Sequence, residues 1–197
     1  MKTAMKPMID MWLRVRRSAR ELLVDRSGLA AVEFAMVVPV MLLLFFGTDE
    51  FSSGVAVNRK VTLMARTLSD LTSQNISVTD TQFTNFFNAS QAIMTPYPSA
   101  PVSSTISELY IDPATLVARV QWSKGASPRA TGTTVAIPTA LQAGGTYLIY
   151  SEVNYKYVPS VAWFINQTNG ITLTDFSYTR PRQSTCVMYN TTVCTTS

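Results

Sequence analysis

Residues 29–47 read LAAVEFAMVVPVMLLLFFG, and this stretch decides the architecture of the chain. It carries a single charge, Glu33, and as a helix it would extend roughly 28 Å, close to the thickness of the hydrocarbon core of a bilayer. On the insertion scale, its Leu, Val and Phe residues contribute roughly −3 to −7 kcal/mol together, which exceeds a penalty of about +3 kcal/mol for a central carboxylate. The sequence therefore predicts a transmembrane helix over 29–47.

The charges that flank this segment differ in sign. Residues 1–28 contain seven Lys or Arg and three acids, a balance of +4 that equals the net charge of the whole chain. Asp49 and Glu50 follow the segment directly. Because basic flanks stay in the cytoplasm, we expect residues 1–28 to be a basic cytoplasmic leader and residues 48–197 to be periplasmic.

Composition excludes several classes of site. The chain has no histidine and only two cysteines, so it has no Ser-His-Asp triad and no His-ligated zinc. Residues 29–197 carry no net charge, which disfavours a nucleic-acid surface. We therefore predict no catalytic residues, no metal and no cofactor. Glu108 and Asp112, the nearest acidic pair in the distal part, are interpreted as solvated acids at a strand end.

After the apolar segment, a helical pattern continues to about Gln74. One face carries apolar residues at spacings of three and four: Val57, Val61, Met64, Leu68 and Leu71. This pattern predicts a helical stalk over 48–74. The stripe is suited both to packing against the distal domain and to side-by-side packing with other chains, and the sequence does not choose between them.

Residues 75–197 predict a small α+β domain. A short amphipathic helix is expected over 80–94, followed by strands over 102–111, 115–122, 147–157 and 171–178. One helix followed by consecutive strands favours an antiparallel sheet. Tyr150, Trp163 and Phe164 are potential exposed carbohydrate-stacking residues, although aromatic residues in strands usually belong to the core.

Cys186 and Cys194 lie near the C-terminus, on the side predicted to be exported. An oxidising compartment favours a disulfide between them, and two free thiols are the alternative.

The most informative motif is Gly28-Leu29-Ala-Ala-Val-Glu33-Phe34. It resembles the type IVb prepilin pattern of Gly, four residues, Glu and an aromatic residue. That resemblance implies cleavage between Gly28 and Leu29 by an inner-membrane prepilin peptidase. It also implies that Glu33 pairs with the terminal amine of an adjacent subunit, beside the aromatic Phe34. Glu33 reaching the membrane interface without a partner is the alternative.

Residues 25–74 as a whole resemble TadE-like pseudopilins of the tight-adherence (Tad/Flp, type IVb) pilus system. Asn58-Arg59-Lys60-Val61-Thr62 adds to this resemblance beyond the apolar segment. It implies a minor pilin or pseudopilin in the inner membrane that supports pilus biogenesis for surface attachment. The partners that it implies are a prepilin peptidase, other pilin subunits and the assembly machinery.

Two other functions remain open. The first is an uncleaved, single-span pilus-assembly protein with a periplasmic interaction domain. The second is a secreted binding domain released by a signal peptidase near Gly54-Val55-Ala56.

Overall fold

A computed structural model describes residues 27–159, 170–191 and 193–194. The chain divides into two compact units, Met1–Asp49 and Glu50–Ser197. Most of the predicted basic leader, residues 1–26, lies outside the described residues.

Helix α1 runs over Ser27–Ser73 and contains Pro39. Its end lies one residue before the predicted one. In the second unit, the predicted apolar stripe is buried: Val57, Val61, Met64 and Leu68 are fully inaccessible to solvent, and Leu71 is half-buried. The stripe therefore packs inside the chain's own domain, which resolves the choice that the sequence left open.

The second unit contains a five-stranded antiparallel sheet, which confirms the predicted α+β class. The strands in sheet order are β4 (Thr134–Val135), β3 (Ala118–Gly125), β2 (Val102–Ile111), β5 (Tyr147–Tyr157) and β6 (Ile171–Thr179). Strand β2 is central, so its backbone is paired on both sides. Its register against β3 shifts between Glu108 and Leu109.

The two faces of the sheet carry separate apolar clusters. The α1 stripe packs with Ile106, Trp122, Ile149, Val153 and Tyr155 in the larger cluster. A smaller cluster contains Leu109, Ile111, Val120, Leu148 and Ile137. Neighbours along β5, Leu148 and Ile149, belong to different clusters, as the alternation of side chains along a strand requires.

Helix α2 (Asp80–Gln91) begins with a capping box, in which the Thr79 and Gln82 side chains bond to each other's backbone N–H groups. A short 3₁₀ helix, Ala92–Met94, follows. The Lys60 ammonium donates hydrogen bonds of 2.8 Å to the carbonyl oxygens of Ile93 and Thr95. These two hydrogen bonds connect α1 to the end of the short 3₁₀ helix that follows α2.

Several local features differ from those predicted from the sequence. Leu116, expected in a strand, has φ of 58° and lies in the turn before β3. Two short strands, β1 (Ser77–Val78) and β7 (Met188–Tyr189), were not predicted and pair in parallel. They join the segment after α1 to the C-terminal segment.

The packing of α1 gives a direct test in two leucines of one helix. Leu68 is fully buried, whereas Leu63 is 52 % exposed. We expect Leu68→Ala to lower the free energy of unfolding of the second unit by about 2–5 kcal/mol, because it leaves a cavity in the core. Leu63→Ala is the matched control and should cost less than about 1 kcal/mol. Equal losses in chemical denaturation of the two detergent-solubilised variants would contradict the assignment of the core face.

Candidate functional site

The first part of α1 is apolar and exposed on every side. Its exposed large apolar side chains are Leu29, Val32, Phe34, Met36, Val37, Val40, Met41, Leu42, Leu43, Leu44, Phe45 and Phe46. So many exposed apolar side chains in one segment are unfavourable in water and mark a surface that lipid or protein covers. Within the described part of the chain, one helix, α1, is long and apolar enough to cross a membrane.

Glu33 is the one charged residue of this apolar segment, and it is exposed. Helical spacing places Glu33 on the same face as Leu29, Met36 and Val37, which lie four residues before it and three and four residues after it. None of the ion pairs found among the described residues involves Glu33. A carboxylate in a low-dielectric surrounding requires a partner, and for Glu33 that partner would have to come from outside the described residues.

Gly28 and Leu29, the predicted cleavage pair, lie in the first turn of α1. Glycine weakens helical structure because it adds backbone freedom. A Cβ atom added at Gly28 would meet nothing within 4 Å. The backbone at Gly28 is therefore accessible to another molecule. Phe34, predicted beside Glu33, is also exposed.

Cys186 and Cys194 form a disulfide. Cys186 is buried and packs in a small cluster with Tyr110 and Tyr147, which belong to β2 and β5. The bond closes a loop in the C-terminal segment of the second unit. Within the described residues, no group of three or more acidic, cysteine or histidine residues is placed to hold a metal ion.

The interpretation of Glu108 as a solvated acid is wrong. Glu108 is only 2 % exposed, and its Oε1 accepts a 2.6 Å hydrogen bond from the Val187 N–H. Burial raises the pKa of the Glu108 carboxyl to about 7, against the opposing effect of the Val187 and Trp122 N–H donors. Glu108 lies on the α1-facing side of β2 because Ile149, its partner in β5, belongs to the cluster around α1.

Asp112 has a different environment from Glu108. Its Oδ1 accepts hydrogen bonds from the backbone N–H groups of Ala114 and Thr115, at 2.7 and 2.9 Å. These bonds lower the pKa of the Asp112 carboxyl, and they shape the turn that leads to β3. The two acids therefore serve separate local structures.

Tyr150 is not an exposed stacking residue, which agrees with the usual place of strand aromatic residues in the core. It is buried, stacks on Tyr178 with ring centroids 4.9 Å apart, and lies 5.3 Å from the Arg129 guanidinium. The other two proposed carbohydrate-stacking residues, Trp163 and Phe164, lie outside the described residues.

The apolar segment, its lone acid and Gly28 all fall within a region that matches a known family. Residues 28–68 match the family model of TadE-like proteins. The resemblance to TadE-like proteins is thereby confirmed over 41 of the 197 residues, from Gly28 to the last fully buried residue of the stripe. No curated protein and no solved structure matches the chain. The TadE-like region joins two surfaces in one helix, one exposed and apolar, the other buried against the sheet.

The apolar surface can be tested by placing a charge in its middle. Leu43 is 71 % exposed within the segment, and we expect Leu43→Arg to raise the apparent free energy of membrane insertion by about 3–4 kcal/mol. Leu63→Arg, exposed on the second unit's part of α1, is the control and should leave insertion unchanged. A translocon-based insertion assay measures both. No difference between the two variants would mean that residues 29–47 do not enter a bilayer.

Proposed function

We propose that the protein is a membrane-anchored minor pilin or pseudopilin that supports biogenesis of a tight-adherence pilus for surface attachment. The observation that carries this proposal is a lone carboxylate, Glu33, on an exposed apolar helix. It lies five residues beyond Gly28 and inside the TadE-like region. The proposed role is structural, and the proposed partners are other pilin subunits and the pilus assembly machinery.

The anchor follows from the energetics of the apolar segment. Residues 29–47 gain more from apolar transfer than a single carboxylate costs, and Glu33 lies near one end, where the cost is smaller. Arginines concentrate before the segment, whereas Asp49 and Glu50 follow it. We therefore place the N-terminus in the cytoplasm and residues 48–197 in the periplasm or, after assembly, at the pilus surface.

Cleavage between Gly28 and Leu29 is the proposed maturation step. A peptidase binds its substrate as extended backbone, and glycine at position 28 lowers the cost of unwinding the helix at this bond. Gly28 adds no side chain at the bond that would be cut. Hydrolysis would create a charged amine at Leu29, at the head of the apolar segment.

Glu33 is the proposed partner of that new amine on an adjacent subunit. A neighbour in the wrong register would leave both charges unpaired in an apolar surrounding, which costs several kcal/mol. The pairing would then select one register among the many that an apolar surface permits. The exposure of Glu33 and its lack of an ion pair among the described residues agree with a partner on another chain.

The two alternatives differ in the start of the mature chain. An uncleaved anchor would keep Met1, and a secreted domain would begin near Val57. A start at Val57 would keep the core stripe but would remove Glu50, whose carboxylate accepts a 2.8 Å hydrogen bond from Tyr157. The secreted form would therefore lose a contact of its own domain.

The N-terminal residue of the protein recovered from cells tests the proposed cleavage. We expect Leu29, identified by N-terminal sequencing or intact mass. Gly28→Val should abolish shortening because it places a β-branched side chain at the bond. Gly47→Val is the matched control, since a Cβ at Gly47 also meets nothing within 4 Å, and it should be processed normally. Shortened Gly28→Val protein, or a native start at Met1, would rule out this cut.

A second experiment tests the role of Glu33. We expect Glu33→Ala to remain in the membrane fraction, because it removes the only charge of the segment, but to reduce the number of surface pili at least tenfold. Asp49→Ala, which removes an acid beyond the segment, should leave pili intact. Electron microscopy and membrane fractionation measure both effects. Normal piliation by Glu33→Ala cells would refute the pairing role.

A further inference from the structure

The C-terminal segment Cys186–Asn190, which we name the C-terminal clasp, is bound to the domain at four places, one of which is a 2.7 Å hydrogen bond from the Tyr189 hydroxyl to Asp80 Oδ1. The N–H groups of Met188 and Asn190 donate to the carbonyl oxygens of Ile76 and Val78, at 3.0 and 2.9 Å, which forms the β1–β7 pair. The Trp122 indole N–H donates to the Val187 carbonyl oxygen at 2.8 Å. The Val187 N–H donates to Glu108.

Glu108 is unusual among these contacts because it is a buried ionisable group, whereas Asp80 is exposed. The Glu108 side chain lies beneath Val187, which is fully buried, and no ion pair of the described residues includes it. A buried carboxylate without a cation is costly, whereas the neutral carboxylic acid is tolerated. We propose that Glu108 is a proton-dependent lock on the C-terminal clasp, which holds the clasp against β1 when neutral and releases it when ionised.

Within the described residues, the groups that surround Glu108 do not supply a compensating cation. Tyr110 and Tyr147 lie on the same face of β2 and β5, and a tyrosine side chain carries no positive charge. Strand β3 contributes Trp122, and its Lys124 pairs with Asp80 at 3.5 Å. In the C-terminal segment, Cys186 is in the disulfide and Arg182 pairs with Asp70 of α1.

The direction of the pH effect follows from linkage. The pKa of Glu108 is about 7 in the folded domain, against an ordinary value of 4.5, so the closed state binds a proton that the open state releases. The stabilisation is fully present below pH 4.5, declines as the pH rises, and is lost above about pH 7. Ionisation would favour an open clasp, in which water reaches the carboxylate.

The disulfide keeps the loop that contains the clasp closed. Cys186 and Cys194 both lie in the C-terminal segment, so an open clasp would leave β1 and Glu108 but keep its own loop. Opening would also uncover the Val78 strand edge and the buried Val187. The lock concerns the second unit alone and does not depend on the proposed pilus role.

Hydrogen exchange of the full chain in detergent micelles tests the lock. We expect the protection factors of the Val187, Met188 and Asn190 amides to fall roughly 30-fold between about pH 5.5 and about pH 8.5, after correction for intrinsic exchange. The amides of β5 should keep their protection. Unchanged protection of the clasp would overturn the proposal, and so would an equal loss over β5, which would indicate unfolding of the whole domain.

Two variants make the test specific to Glu108. Glu108→Gln keeps an acceptor oxygen for Val187 but cannot ionise, so its clasp should stay protected at both pH values. Glu152→Gln is the matched control, because Glu152 is a partly exposed β5 acid paired with Arg129, and it should retain the wild-type pH response. A pH response in Glu108→Gln that equals that of the wild type would overturn the proposal.

Discussion

The burial of the α1 stripe against the sheet is the interaction on which the second unit depends. Val57, Val61, Met64 and Leu68 occupy one face of the helix and together contact strands β2, β3 and β5 through the largest apolar cluster. At about 25 cal/mol per Å² of apolar surface, such burial is the main source of stability in a domain of this size. Without α1, much of this face of the sheet would be open to water, so the helix is a structural layer of the domain.

The apolar residues of α1 are distributed differently in its two parts. Between 29 and 46 its apolar residues lie all round the axis, a distribution suited to lipid or to other apolar helices. From Val57 onwards they are confined to one face, a distribution suited to a core beside water. The change of pattern lies within one helix, and the TadE-like region covers both parts of it. What the region encodes is thus an apolar segment joined directly to the core helix of the following domain.

The sequence allowed prediction of those elements whose pattern is local. The apolar run and the stripe predict α1 through their composition and spacing. Strand β5 is predicted by residues two apart that share one face, such as Ile149, Ser151 and Val153. The helix expected from residue 80 corresponds to α2, and the structure adds the capping box of Thr79 and Gln82 at its start. Gly28, Glu33 and Phe34 could be named because their spacing is itself the motif. Their roles stay predictions, because the partners they require are other molecules.

What could not be predicted depends on contacts between distant parts of the chain. Val187 bonds to Glu108 across 79 residues, and β1 meets β7 across more than a hundred. Two-residue strands have no periodicity to detect. The partner of the stripe could not be predicted either, because the sequence of an apolar face is the same whether its own domain or another chain covers it.

Glu33 and Glu108 differ in where their partners lie. Both are acids in apolar surroundings, yet Glu108 finds its hydrogen-bond donor within the domain, whereas Glu33 has no ion pair among the described residues. Glu108, whose partner is internal, contributes to the fold, whereas the proposed partner of Glu33 lies on another chain, where the pair would direct assembly. The position of the partner, rather than the residue type, therefore separates a structural carboxylate from a functional one.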